Sequence, residues 1–178
     1  LQFVPGTTLR QCVQLKGALD ENLVRELAAQ IAEILHYLHN FDDPIIHRDI
    51  TPDNLVLNEA SGQLTLIDFG AANEVALQSS STIIGKQCYI APEQLRGAAC
   101  IQSDLFSLGA TMYFLLTGAD PVPISTSRPL QVKNTVSKAM NELVARLTDM
   151  EAGCRPGSAK LVIDILNHPQ LMQTSGSP

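Results

Sequence analysis

Two short runs set the outline of this chain: His47-Arg48-Asp49-Ile50-Thr51-Pro52-Asp53-Asn54, and beyond them Leu66-Ile67-Asp68-Phe69-Gly70. Leu55-Val56-Leu57 and Leu64-Thr65-Leu66-Ile67 lie between, joined through Ser61-Gly62. Apolar and β-branched runs about a Ser-Gly turn read as two short strands of a hairpin. The motifs flank that hairpin. Two carboxylates and an amide so placed can build a phosphoryl-transfer site, with Asp49 facing a substrate hydroxyl and Asn54 and Asp68 holding metal ions on a nucleotide. The plainer alternative is a capped turn followed by an unrelated strand end. The joint presence of both motifs, in order, argues against it.

The rest of the chain reads as mainly helical. Leu1 to Val4 is a strand end broken by Pro5-Gly6, and a short helix is expected over Leu9 to Leu15, stopped by Gly17. Asp20 is placed to cap a helix whose Leu23, Leu27, Ile31, Ile34, Leu35 and Leu38 recur on one face, with Pro44 ending that unit. Ser103 to Leu116 is apolar nearly all round, the pattern of a buried central helix, and Gly118 closes it. Val136 to Met150 and Ser158 to Leu166 have the pattern of two amphipathic helices. Ala71 to Gly85 is small and polar, as a mobile loop would be, and the last residues, 174 to 178, are expected to fray.

Composition bounds the partners. At 178 residues and 45% hydrophobic, the chain supplies one ordinary domain with a real core. A net charge of -6 argues against a general nucleic-acid binder, which would carry a basic stripe. The most apolar stretch, Leu105 to Leu116, is broken by Ser107 and Thr111 and is too short to span a bilayer. No secretory signal is visible, and Leu1 stands where a methionine would begin a natural chain. Cys12, Cys88, Cys100 and Cys154 form no C-x-x-C pair and lie near no histidine at metal spacing, so reduced cytoplasmic thiols are expected. His36 and His39 lie three apart on a helix, but they and His168 suggest no constellation, and His47 reads as a packing residue behind the motif.

Further markers follow in order: Ala91-Pro92-Glu93, Ser103-Asp104 opening the apolar helix, and Cys154-Arg155-Pro156. Together with the two opening motifs they resemble the C-terminal lobe of a eukaryotic-type protein kinase, most like the bacterial members. The resemblance spans nearly the whole chain: residues 1–170 correspond to the lobe from the hinge onward, and 171–178 to a frayed tail. It implies a mainly α fold, helical, with two short strands beside the catalytic loop and the N-terminal β lobe absent.

It also implies roles. Asp49 would take or orient the proton of the acceptor hydroxyl. Asn54 and Asp68 would coordinate Mg²⁺. Val56 would touch the adenine of ATP, and backbone groups near Gln2 and Val4 would bond its edge. Glu93 with Arg155, and Asp104 with the catalytic-loop backbone, would be structural. The implied activity is serine/threonine protein kinase, transferring the γ-phosphate of ATP to protein hydroxyls, in the cytoplasm, with a protein substrate and the missing N-terminal lobe as partners.

Four departures from the family pattern matter. No Gly-rich phosphate loop or strand lysine is present, and the first lysine is Lys16. The chain is therefore expected to be a fragment, inactive in isolation. Thr51 stands where most serine/threonine kinases have lysine, and Lys86, in Gly85-Lys86, where they commonly have threonine. The two residue types are exchanged between positions that adjoin in the folded family, so Lys86 is expected to supply the positive charge and Thr51 the hydroxyl. Thr82 lies where many kinases are activated by phosphorylation and Arg48 could pair with its phosphate, but Asn73 is neutral where a second basic residue often lies. Ala119 to Val136 is broken by prolines where the family's substrate-docking helix lies.

Two other readings compete. A pseudokinase or scaffold would not need Asp49, Asn54 and Asp68. A small-molecule phosphotransferase of related fold would share the loop but lack Glu93 and Arg155.

Overall fold

The computed structural model describes residues 4–68, 87–168 and 170. Gln2, Phe69, Gly70, Asn73, Thr82 and Lys86, and the 171–178 tail, lie outside them.

The first element is β1, Thr7–Thr8, followed at once by α1, Leu9–Lys16. Thr8 serves both: its hydroxyl accepts from the Gln11 backbone while the Gln11 side chain accepts from the Thr8 N–H, a reciprocal cap that starts the helix. α2, Glu21–His39, begins on Asp20, whose carboxylate accepts from the Asn22 backbone N–H at 2.8 Å. Val24, Leu27, Ile31, Leu35 and Leu38 of its apolar stripe are buried, whereas Leu23, which the sequence pattern groups with them, is exposed because it lies in the first turn beyond the packed face, and Ile34 is half-buried.

β2, Leu55–Asn58, pairs antiparallel with β3, Gln63–Leu66, in the register Leu55 to Leu66. The hairpin read from the sequence is thus present, but it is not alone. β1 pairs antiparallel with β2, Thr7 opposite Leu57, giving a three-stranded sheet in the order β1-β2-β3. A two-residue strand leaves no periodicity to read.

α3, Ile101–Thr117, is the central helix. Nearly all of its residues are buried, Asp104, Ser107 and Thr111 included, and Gly118 ends it in the left-handed region at φ 77°. α2 packs on α3 and on α5, Ala159–Asn167, and α4, Lys138–Leu147, also packs on α3. α4 is shorter than the apolar pattern suggests. The Ser137 hydroxyl caps its start at Met140 N, and the Thr148 hydroxyl turns back onto Val144 O at 2.8 Å to close its end. Between α3 and α4 only a short 3₁₀ turn forms, Pro129–Gln131, so this proline-broken stretch carries no α-helix.

These are the features of a mainly helical lobe with a small sheet at one end. The loop from His47 to Asn54 runs between α2 and β2, and Asp68 leaves the far side of β3.

Candidate active site

The loop from His47 to Asn54 is anchored by α3. Asp104 is fully buried, and its two carboxylate oxygens accept the backbone N–H groups of His47 at 2.9 Å and Arg48 at 2.8 Å. His39, read from the sequence as without a constellation, lies with Nε2 2.8 Å from the same carboxylate. A buried acid is tolerable when bonded this fully. Arg48 takes a left-handed conformation, φ 68°, which a residue with a Cβ adopts at a cost. Its N–H is held by Asp104 and its C=O by the Gln94 side chain at 3.0 Å, so both neighbouring peptides are fixed. Further along, the Thr111 hydroxyl of α3 donates to Ile50 O.

With the loop fixed, its side chains converge. The Asn54 amide donates to Asp49 Oδ2 at 2.8 Å and to Asp49 O at 2.9 Å. The next link is a backbone bond from Ile67 N–H to Asn54 O at 2.9 Å, which seats Asp68 one residue from Asn54's own partner. Asp68 is exposed and left-handed, φ 56°. His47 reports on the same convergence. Burial pushes its imidazole below the usual range, while Asp104, Asp49 and Asp68 all pull the other way, so three carboxylates act on one ring. The Asp49 backbone N–H donates weakly to His47 Nδ1 at 3.4 Å, which fits a neutral ring carrying its proton on Nε2.

The donor chemistry at this edge suits a hard cation. Asn54 spends its NH₂ on Asp49, which leaves its Oδ1 as the amide atom for a metal, and Asp68, next in the chain to the Ile67 that bonds Asn54 O, brings a carboxylate. Two protein oxygens would leave the remaining positions of Mg²⁺ for phosphate and water.

The other expected residues are placed as follows. Val56 is buried on β2, packed over Gly6, where a Cβ would lie 2.8 Å from the Val56 side chain and 2.5 Å from Leu57 O; only glycine fits so close to the sheet. Val4 is half-buried at the described start of the chain. Thr51 is buried, and its hydroxyl has no hydrogen-bond partner among the described residues. Its expected counterpart Lys86 lies outside them, as do Gln2 and Thr82.

Glu93 joins Arg155 through two bonds, Nη1 to Oε1 at 2.6 Å and Nη2 to Oε2 at 3.0 Å, and the Ser103 hydroxyl also donates to Glu93 Oε1. Burial raises the Glu93 carboxyl, but the bonds from Arg155 and Ser103 outweigh it and hold it below the usual range.

The Protein kinase domain family description matches residues 1–170. The chain belongs to the protein kinase family. The serine/threonine-protein kinase PknA of Nostoc sp. is 38% identical over 133 residues, 70% of this chain and 23% of that protein. Serine/threonine-protein kinase C of Synechocystis sp. is 41% identical over 128 residues, 67% of this chain and 24% of that protein. This kinase chain thus spans about a quarter of the length of those relatives. The PknI kinase domain of Mycobacterium tuberculosis superposes with a TM-score of 0.74 at 25% identity, over 94% of this chain and 64% of that domain. Rad53 in complex with AMP-PNP gives a TM-score of 0.70 at 26% identity.

Arg10, like His39, is a residue of this kinase lobe that sequence reasoning missed. It bonds Asp53, Asp120 and Tyr89, residues whose positions in the chain show no spacing that links them.

Proposed function

We propose that the chain is the catalytic lobe of a serine/threonine protein kinase that, within a longer protein, transfers the γ-phosphate of ATP to protein hydroxyls. Asp49 is the general base, and Asn54 and Asp68 are the residues that would hold Mg²⁺. The bonding of the Asn54 amide to the Asp49 carboxylate carries this reading, since it fixes the base and one oxygen ligand relative to each other. Mg²⁺, when bound, supplies neutralising charge to the phosphate oxygens. Val56 and the backbone at Val4 would contact the adenine. In this reading Lys86 supplies the positive charge that Thr51 does not, and substitution to methionine removes it. Four cysteines that form no C-x-x-C pair fit a reducing, cytoplasmic setting, and no helix among the described residues is long and apolar enough to cross a membrane.

Positioning and charge stabilisation carry most of phosphoryl transfer, and the groups of the complementary lobe are not in this sequence. The isolated chain is therefore expected to transfer no phosphate at a useful rate. The test is transfer from labelled ATP to a generic acceptor protein by the intact gene product. Asp49→Asn should lower turnover by roughly 10²–10⁴-fold. Intact wild-type protein that binds ATP but transfers nothing would overturn the reading. It would favour a pseudokinase, for which the Thr51 hydroxyl, without a hydrogen-bond partner among the described residues, is the supporting observation. Unchanged turnover in Lys86→Met would remove the exchange of roles.

A further inference from the structure

Arg10 lies in the first turn of α1, and four segments meet on it. Its backbone N–H donates to Pro52 O at 3.1 Å. Its Nε donates to Asp53 Oδ2 at 2.8 Å. Nη1 and Nη2 take the two oxygens of Asp120, just past α3, at 3.4 and 3.1 Å, and Nη2 also reaches the Tyr89 hydroxyl at 3.2 Å. Tyr89 in turn donates to Asp120 Oδ1 at 2.5 Å. The guanidinium carbon lies 4.6 Å from the ring centroid of Phe114 on α3 and 5.8 Å from that of Tyr89.

This is not a solvated surface pair. The Arg10 side chain is 20% exposed, and four of its five N–H donors are engaged in a planar fork over an aromatic ring. Burial opposes its charge, but the bonds from Asp53 and Asp120 outweigh that and raise its pKa further. Burial, reinforced by the bond to Asp120, raises the Tyr89 hydroxyl too and keeps it a donor.

The catalytic loop divides in two by what holds it. Asp104 and Thr111 of α3 hold His47 to Ile50. Among the described residues, every hydrogen bond that reaches Pro52 and Asp53 from outside the loop comes from Arg10. The hydroxyl of Thr51, between the halves, bonds none of the described residues.

We propose that Arg10 is a positioning residue for phosphoryl transfer: it locks the Pro52–Asp53 half of the catalytic loop to Tyr89 and Asp120, and so holds Asn54 and Asp49 in the reacting arrangement. This rests on the kinase reading above, so two measurements are needed. The first is amide hydrogen exchange on the present chain. In Arg10→Met, the amides of Thr51, Asp53 and Asn54 should exchange at least about tenfold faster while α5, far along the chain, keeps its wild-type rates. Unchanged exchange at those amides would overturn the lock. The second is kinetics of the intact gene product. Arg10→Met should lower kcat about tenfold with the KM for ATP within about twofold, and Arg10→Lys, which keeps the charge but not the fork, should recover less than about a third of the loss. Unchanged kcat in a folded variant would overturn the catalytic consequence, and full recovery by lysine would reduce the lock to a charge effect and overturn it as a fork. If the wild-type protein transfers no phosphate, the kinase reading fails, and with it the catalytic consequence; the exchange rates then decide the lock alone.

Discussion

Arg155 and Glu93, 62 residues apart in sequence, meet in a two-bond fork with the arginine side chain wholly out of solvent. The guanidinium lies 4.9 Å from the Phe106 ring centroid and also donates to Gln102 O and Asp149 O. One side chain therefore ties the start of α3, the turn after α4 and the segment that carries Tyr89. Removing one partner strands the other. Arg155→Met should cost about 3–5 kcal/mol, and Glu93→Gln, which keeps one acceptor on a less buried residue, clearly less. Urea denaturation of this chain checks the order; an Arg155→Met midpoint equal to wild type would show that the fork contributes nothing.

A second prediction concerns Asp104. Its carboxylate serves a buried N–H group, a part-buried one and a histidine at once. Alanine would leave both N–H groups without a partner, each costing about 1–3 kcal/mol, whereas asparagine keeps one oxygen and loses one bond. Asp104→Ala should therefore destabilise about twice as much as Asp104→Asn. Hydrogen exchange should place the loosening at His47 and Arg48, whose amides should gain the most. Equal loss in both variants would mean that the carboxylate acts by its charge and not by its two acceptors.

What the sequence discloses here follows from range. Local signals were legible because their physics is local. Asp20 caps α2 as its position suggests, Gly118 ends α3, and the all-apolar run from Ser103 is the buried helix. The link between Glu93 and Arg155 was legible only through the family resemblance, since nothing in the spacing of residues 93 and 155 implies contact. Where neither applied, the reading failed. β1 is two residues long, too short to show any strand pattern. Arg10 and Asp120 are single charges in polar stretches, indistinguishable in sequence from solvated ones. His39 lay on the partly polar side of an amphipathic helix, and its partner Asp104 is 65 residues away.

The third prediction is a pH dependence. Burial lowers the folded pKa of His47 from its usual 6.5. A lowered folded pKa means that the unfolded chain takes up a proton first as pH falls. The stability His47 contributes is thus complete above pH 6.5 and is lost as pH drops from there through the folded value, by at most about 1.4 kcal/mol per pH unit for one proton. Glu93 follows the same sign in a lower window, its stabilisation complete above its usual 4.5 and lost as pH falls below it. Unfolding free energies measured from pH 7.5 to 3.5 should therefore fall in two stages. His47→Gln should flatten only the upper stage and Glu93→Gln only the lower. An upper stage that persists unchanged in His47→Gln would assign it to another histidine.

Gly109 tests how tightly α3 is packed. A Cβ there would lie 2.6 Å from Leu147 Cβ and 2.9 Å from Thr148 Cγ2. Leu147 Cβ is fixed to the backbone of α4 and cannot rotate aside, so the two helices must separate. Alanine gains about 1 kcal/mol of helix propensity over glycine, but overpacking of a buried contact costs about 1–3 kcal/mol and here has no flexible atom to relieve it. The packing effect should win, and Gly109→Ala should be less stable than wild type. Gly157, with nothing within 4 Å of its would-be Cβ, is the control, and Gly157→Ala should stay within about 0.5 kcal/mol of wild type. Because the end of α4 carries Thr148, whose hydroxyl accepts from Ser127 N–H at 2.8 Å, the separation should also loosen the loop before α4. A Gly109→Ala variant as stable as wild type would mean that α3 and α4 lie farther apart than these distances state.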